Sequence, residues 1–196
     1  MKTNNRSFFG RGRKSCILAS LTLLLFCGFW GSALADSEKK IDFAKIDTEA
    51  DAALARLHDL KGGKEFTEKA KALLIMPNVG KGALIVGIEH GKGALRIDGK
   101  TEDYYSLSAG SVGLQIGGEA KDIIIAFLTT EALEKFRASK NWEAGVDGNI
   151  AMISAGDGGT ASNITTKEPI TAIVFDVKGL FLDLSLKGGK FSKLDK

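Results

Sequence analysis

From Asp42 to Leu60 the apolar residues Phe43, Ile46, Ala50, Ala53, Leu57 and Leu60 recur at three- and four-residue spacing, which predicts an amphipathic helix ended by Gly62-Gly63. A second short helix is predicted from Glu65 to Lys71. Beyond it the pattern turns to short apolar runs, predicting strands over Leu73 to Met76, Ala83 to Glu89, Ala94 to Asp98, Ser111 to Ile116, Ile123 to Leu128, Ile150 to Ser154, Thr171 to Val177 and Leu180 to Leu186. The last of these alternates strictly, with leucines on one face and Phe181, Asp183, Ser185 and Lys187 on the other, as in a half-buried strand. Ile123 to Leu128 is continuously apolar, as in a strand covered on both faces. Thr130 is placed to cap a helix from Glu131 to Ala138. Hairpin-length connections and separate helical segments predict an α+β domain: a mainly antiparallel, curved sheet with the N-terminal amphipathic helix and one or two short helices packed on it.

Twenty of the 161 residues after Ala35 are glycine, well above the usual share of about 7%. They are spread among the apolar runs, which predicts many tight reversals and no linker. Gly80-Lys81-Gly82-Ala83-Leu84 recurs as Gly91-Lys92-Gly93-Ala94-Leu95, and both copies read as turn-to-strand starts. Pairing Ala83–Glu89 with Ala94–Asp98 as a hairpin about His90-Gly91-Lys92 places Lys81 near Lys100 and puts Lys92 at the tip, more than about 20 Å away.

The first 35 residues stand apart. Lys2, Arg6, Arg11, Arg13 and Lys14 precede an uncharged run from Cys16 to Trp30 and then Ala33-Leu34-Ala35, the pattern of a secretory signal with an A-x-A cleavage site. The alternative is an uncleaved anchor, since Ser15 to Ala35 approaches a spanning length. The formal net charge of +3 belongs to this segment: five of the 27 basic residues and none of the 24 acids precede Asp36, which leaves 22 basic against 24 acidic residues. Overall charge therefore gives no case for nucleic acid or for membrane attraction. Both cysteines, Cys16 and Cys27, also lie here, so the exported chain folds on its core without a disulfide. The organisation read from sequence is a signal over 1–35, a helical segment over 36–69 and a β-rich domain over 70–196.

Six blocks follow one another in that domain: Ala70-Lys71-Ala72-Leu73-Leu74-Ile75-Met76-Pro77-Asn78-Val79-Gly80-Lys81-Gly82; Gly91-Lys92-Gly93; Ser111-Val112-Gly113-Leu114-Gln115-Ile116-Gly117-Gly118; Trp142-Glu143-Ala144-Gly145-Val146; Ala172-Ile173-Val174-Phe175-Asp176-Val177-Lys178-Gly179-Leu180; and Leu184-Ser185-Leu186-Lys187-Gly188. In this order they resemble the SYLF domain, a lipid-binding module of bacterial exported proteins and of eukaryotic proteins that link phosphoinositides to actin. The resemblance implies membrane-lipid recognition without catalysis. The secretory signal argues against cytosolic actin as a partner, and a bacterial source would argue against phosphoinositides.

A search for chemistry returns little. His58 follows a core leucine on the first helix, and His90 is read as a turn residue. With no cysteine after Ala35, a zinc site would need scattered carboxylates. Gly87-Ile88-Glu89-His90-Gly91-Lys92 has one residue too few between its glycines for a phosphate-binding loop, and Gly93 stands where serine or threonine is needed. Asp147-Gly148-Asn149 lacks the alternating acids of a calcium loop, and no serine sits in a nucleophile elbow. The expectation is a protein with no catalytic residues, no metal and no cofactor.

For lipid the candidate residues are Lys81, Lys92, Arg96, Lys100 and Trp142. Lysine beside glycine, as in Gly80-Lys81-Gly82 and Gly99-Lys100, pairs a cation with backbone that a phosphate can approach closely. Solvated turn lysines are the plainer reading. Trp142 and Tyr104-Tyr105 could add rings at headgroup level, although packing against a glycine turn explains Trp142 more simply. Phe181 lies on the polar face of its strand, which requires a cover or a contact patch. The expected partner is an anionic phospholipid or membrane surface at the periplasmic side, with an envelope protein as the alternative and a lipid hydrolase as a third class without a visible constellation.

Overall fold

A computed structural model describes residues 40–82, 86–112, 119–154, 168–178 and 186–196, with side chains given for all of these except 81, 82, 86–88, 111, 112, 119, 154 and 178. The chain divides into two units, Met1–Lys40 and Ile41–Lys196, and every element below lies in the second. The export-type segment over 1–35, Asp157-Gly158-Gly159 and the strand read over Leu180 to Leu186, Phe181 included, fall outside the described residues except for Leu186 itself.

Three helices are described: α1 (Phe43–Asp59), α2 (Gly63–Glu68) and α3 (Thr130–Ala138). Eight strands follow or interleave them: β1 (Ala72–Gly82), β2 (Val86–Ile97), β3 (Lys100–Val112), β4 (Glu119–Phe127), β5 (Asn141–Glu143), β6 (Ala151–Ser154), β7 (Ile170–Lys178) and β8 (Lys190–Leu194). They form one sheet in the order β5-β8-β3-β2-β1-β4-β7-β6. Every pairing is antiparallel except β6 with β7, so the class is α+β with a mixed, mostly antiparallel sheet.

The sheet curls because its two edge strands, β5 and β6, are joined by only residues 144–150. Laid flat, the order would separate those edges by about 34 Å at about 4.8 Å per strand. Fully extended, the connection reaches about 27 Å, and it is not extended: Gly145 N–H donates to Gly148 O at 2.8 Å and Glu143 N–H to Asp147 Oδ2 at 2.7 Å. Asp147-Gly148-Asn149 is thus part of this tight turn.

Two cores result, one on each face. The concave face collects Leu74, Met76, Leu95, Ile123, Ile125, Val174 and the buried side of α3, with Tyr105, Phe127, Phe136, Trp142 and Phe191 as an aromatic cluster. The other face carries Ile75, Ala94, Ile124, Ala126, Ile173 and Phe175, covered by Ile46, Ala50, Ala53 and Leu57 of α1 and by Phe66 of α2. β4 shows the strand period directly, with Ile123 and Ile125 on the first face and Ile124 and Ala126 on the second. Asp42 caps α1 by accepting from Lys45 N–H at 3.0 Å. α3 is capped by Thr129, which accepts from Ala132 N–H, one residue earlier than the sequence placed it.

The largest correction concerns the glycine repeat. Ala83–Glu89 and Ala94–Asp98 are not a hairpin. Residues 86–97 are one strand, with His90-Gly91-Lys92 in its middle, and Gly80-Lys81-Gly82 ends β1 opposite His90, Glu89 and Ile88. Gly91 and Gly93 are there for close approach: a Cβ at Gly93 would stand 2.1 Å from Ile75 O and 2.5 Å from Met76 Sδ, and one at Gly91 would stand 2.7 Å from Val79 Cγ2. The true reversal after β2 is Asp98-Gly99, with φ of 50° and 76°, a two-residue turn of the kind that suits hairpin twist. It launches β3, which alternates Tyr105, Leu107 and Ala109 inward, whereas the sequence pattern predicts a strand only from Ser111. The short strands β5 and β8 were also unread.

Pro77 lies in β1 between two paired neighbours, where a missing N–H would normally exclude it. The chain accommodates it with a bulge. The register of β1 shifts by one against β4 between Met76 and Val79 and against β2 between Ile75 and Gly80, Asn78 takes φ 48°, and its N–H donates to Asp122 Oδ1 at 2.9 Å. Gly93→Ala should lower unfolding stability by about 3 kcal/mol, the upper part of the overpacking range. Gly110→Ala, whose Cβ would meet nothing within 4 Å, should stay within about 0.5 kcal/mol of the parent. Urea denaturation of both variants measures this.

Candidate functional site

The five residues singled out from sequence do not converge. Arg96 docks α1: its guanidinium pairs with Asp51 and lies 3.9 Å from Asp47 Oδ1. Asp47 also accepts from Thr101 Oγ1 and Tyr104 Oη, each at 2.7 Å. Lys100 is exposed beside the Asp98-Gly99 turn, and Lys81 pairs through its backbone with Glu89 and Glu119 at the other end of the β1–β2 ladder, so the expected proximity of Lys81 and Lys100 is corrected. The side chain of Lys81 lies outside the described residues. Trp142 is 3% exposed against Phe136 and Phe191, and Tyr105 is fully buried in the same cluster. These rings are core, not headgroup-level contacts.

Lys92 is the exception, and it brings unexpected neighbours. On the face that α1 covers at Ala94, the strand period places His90 and Lys92 beyond the helix, both exposed. Across the ladders Lys92 stands opposite Ser106, Ser106 opposite Ser192 and Ser192 opposite Asn141. One row further on, His90 stands opposite Ser108, Ser108 opposite Lys190 and Lys190 opposite Glu143. The result is an open polar face of hydroxyls, one amide, two lysines and a histidine. Lys92 and Lys190 are about 12 Å apart by strand spacing and rise.

The charges on this face are unevenly committed. Lys190 Nζ lies 3.8 Å from Glu143 Oε2, a partly exposed pair of small worth. Lys92 has no acidic or hydrogen-bonding partner among the described residues. Ser192 Oγ donates to Asn141 Oδ1 at 2.8 Å and Ser106 Oγ to Ser192 O at 3.4 Å, so of the three serines Ser108 is the one whose hydroxyl proton has no acceptor among the described residues. Sequence reasoning missed Ser106, Ser108, Asn141, Lys190 and Ser192 because β3 and β8 were unread. The signal for β3 was present in Tyr105-Ser106-Leu107-Ser108-Ala109, which alternates strictly.

Two ionic nodes flank the face. Arg56 of α1 donates through Nε and Nη2 to Asp122 Oδ2 at 2.9 and 2.6 Å and lies 3.3 Å from Asp176, which has φ 49° where β7 shifts register. Through Asp122 and Asn78 it ties α1 to both sheet bulges. On the concave face Lys121 Nζ lies 3.0 and 3.1 Å from the two oxygens of Glu89, and both residues are buried. His58 shares a hydrogen bond with Thr67 at 3.0 Å, holding α1 to α2. Among the described residues no group of three His, Cys, Asp or Glu side chains is placed to hold a metal ion, and no helix is long and apolar enough to cross a membrane.

The tyrosines report the docking of α1 and the aromatic core. Burial, then the hydrogen bond to Asp47, pushes Tyr104 from its ordinary value of 10.0 up to about 12. Burial, then the Asp103 charge, does the same for Tyr105, also to about 12. Because the neutral phenol is favoured in the folded state, stability from both groups is complete below pH 10 and is lost as pH rises from about 10 to about 12. Phenolate absorbance should show no titration near pH 10 in the folded protein, and a Tyr104→Phe variant should lose part of the alkaline instability.

No curated protein matches the chain. Residues 108–196, which run from the second half of β3 through β8, match the family model of Ysc84, described as a Las17-binding protein actin regulator. The blocks Ser111–Gly118, Trp142–Val146, Ala172–Leu180 and Leu184–Gly188 fall inside that match, and over these residues the chain is similar to the Ysc84, or SYLF, family.

Proposed function

We propose that this protein is a non-enzymatic phospholipid-binding protein, and that it contacts the phosphates of anionic lipid through the open face of β2, β3 and β8. The observation behind this reading is Lys92, an exposed cation in mid-strand with no partner among the described residues, bordered by serine hydroxyls and by Lys190 and His90. Phosphate oxygens accept strong hydrogen bonds from ammonium and hydroxyl groups together. On the convex side of the curled sheet these groups project outward, where a membrane surface can reach them. The export-type N-terminal pattern supports a contact at the cell envelope, on the periplasmic side in a bacterial cell. Las17 and actin, which the family description names, are not part of this reading, because an exported chain does not meet them.

A fragment of residues 36–196 should float with anionic vesicles and not with neutral ones, and should dissociate as salt rises. Each basic residue near an anionic surface contributes about 1 kcal/mol, so Lys92→Ala with Lys190→Ala should weaken binding roughly thirtyfold. Lys100→Ala, about 20 Å from Lys92 along β3, should change it little. Unchanged binding in the double variant would contradict the assignment of the face.

A further inference from the structure

His90 stands in mid-strand on the open face, exposed, with no hydrogen bond or ion pair among the described residues. The other histidine, His58, is half-buried and shares its hydrogen bond with Thr67 between α1 and α2. In the row that His90 occupies its neighbours are small: Gly80 stands opposite it on β1 and Ser108 on β3, and Ala120 stands opposite Gly80 on β4. Side chains of this size cannot cover the ring, so a surface that reaches Lys92 and Lys190 reaches the imidazole as well.

The uncommitted charge facing His90 is positive. Lys92 is two residues away on the same strand, roughly 7 Å, and Lys190 is two strands away in the same row, roughly 10 Å. The carboxylates that the neighbouring strands present on this side are engaged elsewhere: Glu143 of β5 lies beside Lys190, and Asp122 of β4 and Asp176 of β7 are held by Arg56 of α1. Glu89, next in the chain, belongs to the opposite side of the sheet, where it pairs with buried Lys121. Histidine is the side chain that ordinarily changes charge between about pH 5 and 8. We infer that His90 makes the open face a pH-dependent contact, in which the protonated ring joins Lys92 and Lys190 as a third cation and tightens the hold on an anionic surface in mildly acid solution. His90 has this role only if the face is the anionic contact proposed above. By linkage, the surface favours the proton by the same factor as the proton favours the surface.

The test is flotation of residues 36–196, which keep the whole of the compact unit Ile41–Lys196, with phosphatidylglycerol vesicles at about pH 5.5 and about pH 7.5, a range over which the lipid charge is constant. The parent should bind about fourfold tighter in the acid buffer, close to the worth of one more basic residue near an anionic surface. His90→Gln should match the parent at the higher pH and lose the increase. His90→Lys, whose charge is fixed over this range, should bind at the higher pH as tightly as the parent does at the lower one. Equal binding by the parent in both buffers, or an undiminished increase in His90→Gln, would overturn the role of His90 and leave the lipid reading of the face standing. No binding by the parent in either buffer would overturn that reading and the role of His90 with it.

Discussion

A seven-residue connection joins the two opposite edges of an eight-stranded sheet, and most of the molecule follows from that closure. A sheet that must bring its edges together has a concave and a convex face, and the two need different contents. The concave face is filled by large side chains from every strand that reaches it, with Phe136 of α3 and Trp142 closing the aromatic cluster near the seam. The convex face is too broad for the helical segment before it. α1 and α2 cover it over Ile75, Ala94 and Ile173, and the row of His90, Lys92, Ser108 and Lys190 beyond them stays exposed.

Curvature also demands local departures from regular pairing, and these became the anchor points of the helix. The Pro77-Asn78 bulge and the register shift at Asp176 both present groups to Arg56 or to its partner Asp122. Asp122 is buried and Arg56 is half-exposed, so solvent screens part of the pair and its loss costs less than that of a fully buried one. Arg96 makes the second anchor through Asp47 and Asp51. The basic residue that looked available for ligand is therefore spent on holding α1 in place, while Lys92, four residues earlier on the same face, remains open.

The sequence made the class of fold and the central strands legible, because Ile123 to Leu128 and Thr171 to Val177 carry patterns that burial on two faces imposes. It misled where glycine has two uses. Gly91 and Gly93 look like turn residues, yet they sit in mid-strand because Val79, Met76 and Ile75 occupy the space of their side chains, and only the partner strand reveals this. That single misreading moved Lys92 from the middle of a face to the tip of a hairpin. β8 was hidden for another reason: Lys190-Phe191-Ser192-Lys193-Leu194 has one buried residue, Phe191, and owes its strand state to pairing with β3. Candidate residues distributed over such strands can be assembled only through the ladders.

The central claim is that the open face of β2, β3 and β8 meets the membrane, and its geometry allows a direct measurement. No cysteine follows Ala35, so a single environment-sensitive label can be placed by Ser108→Cys on the open face, or by Glu134→Cys on the exposed side of α3 beyond the opposite core. With residues 36–196 bound to anionic vesicles, the account predicts a blue-shifted, more intense emission at position 108 and no change at position 134. A shift at position 134 alone, or bound protein with neither label responding, would contradict it.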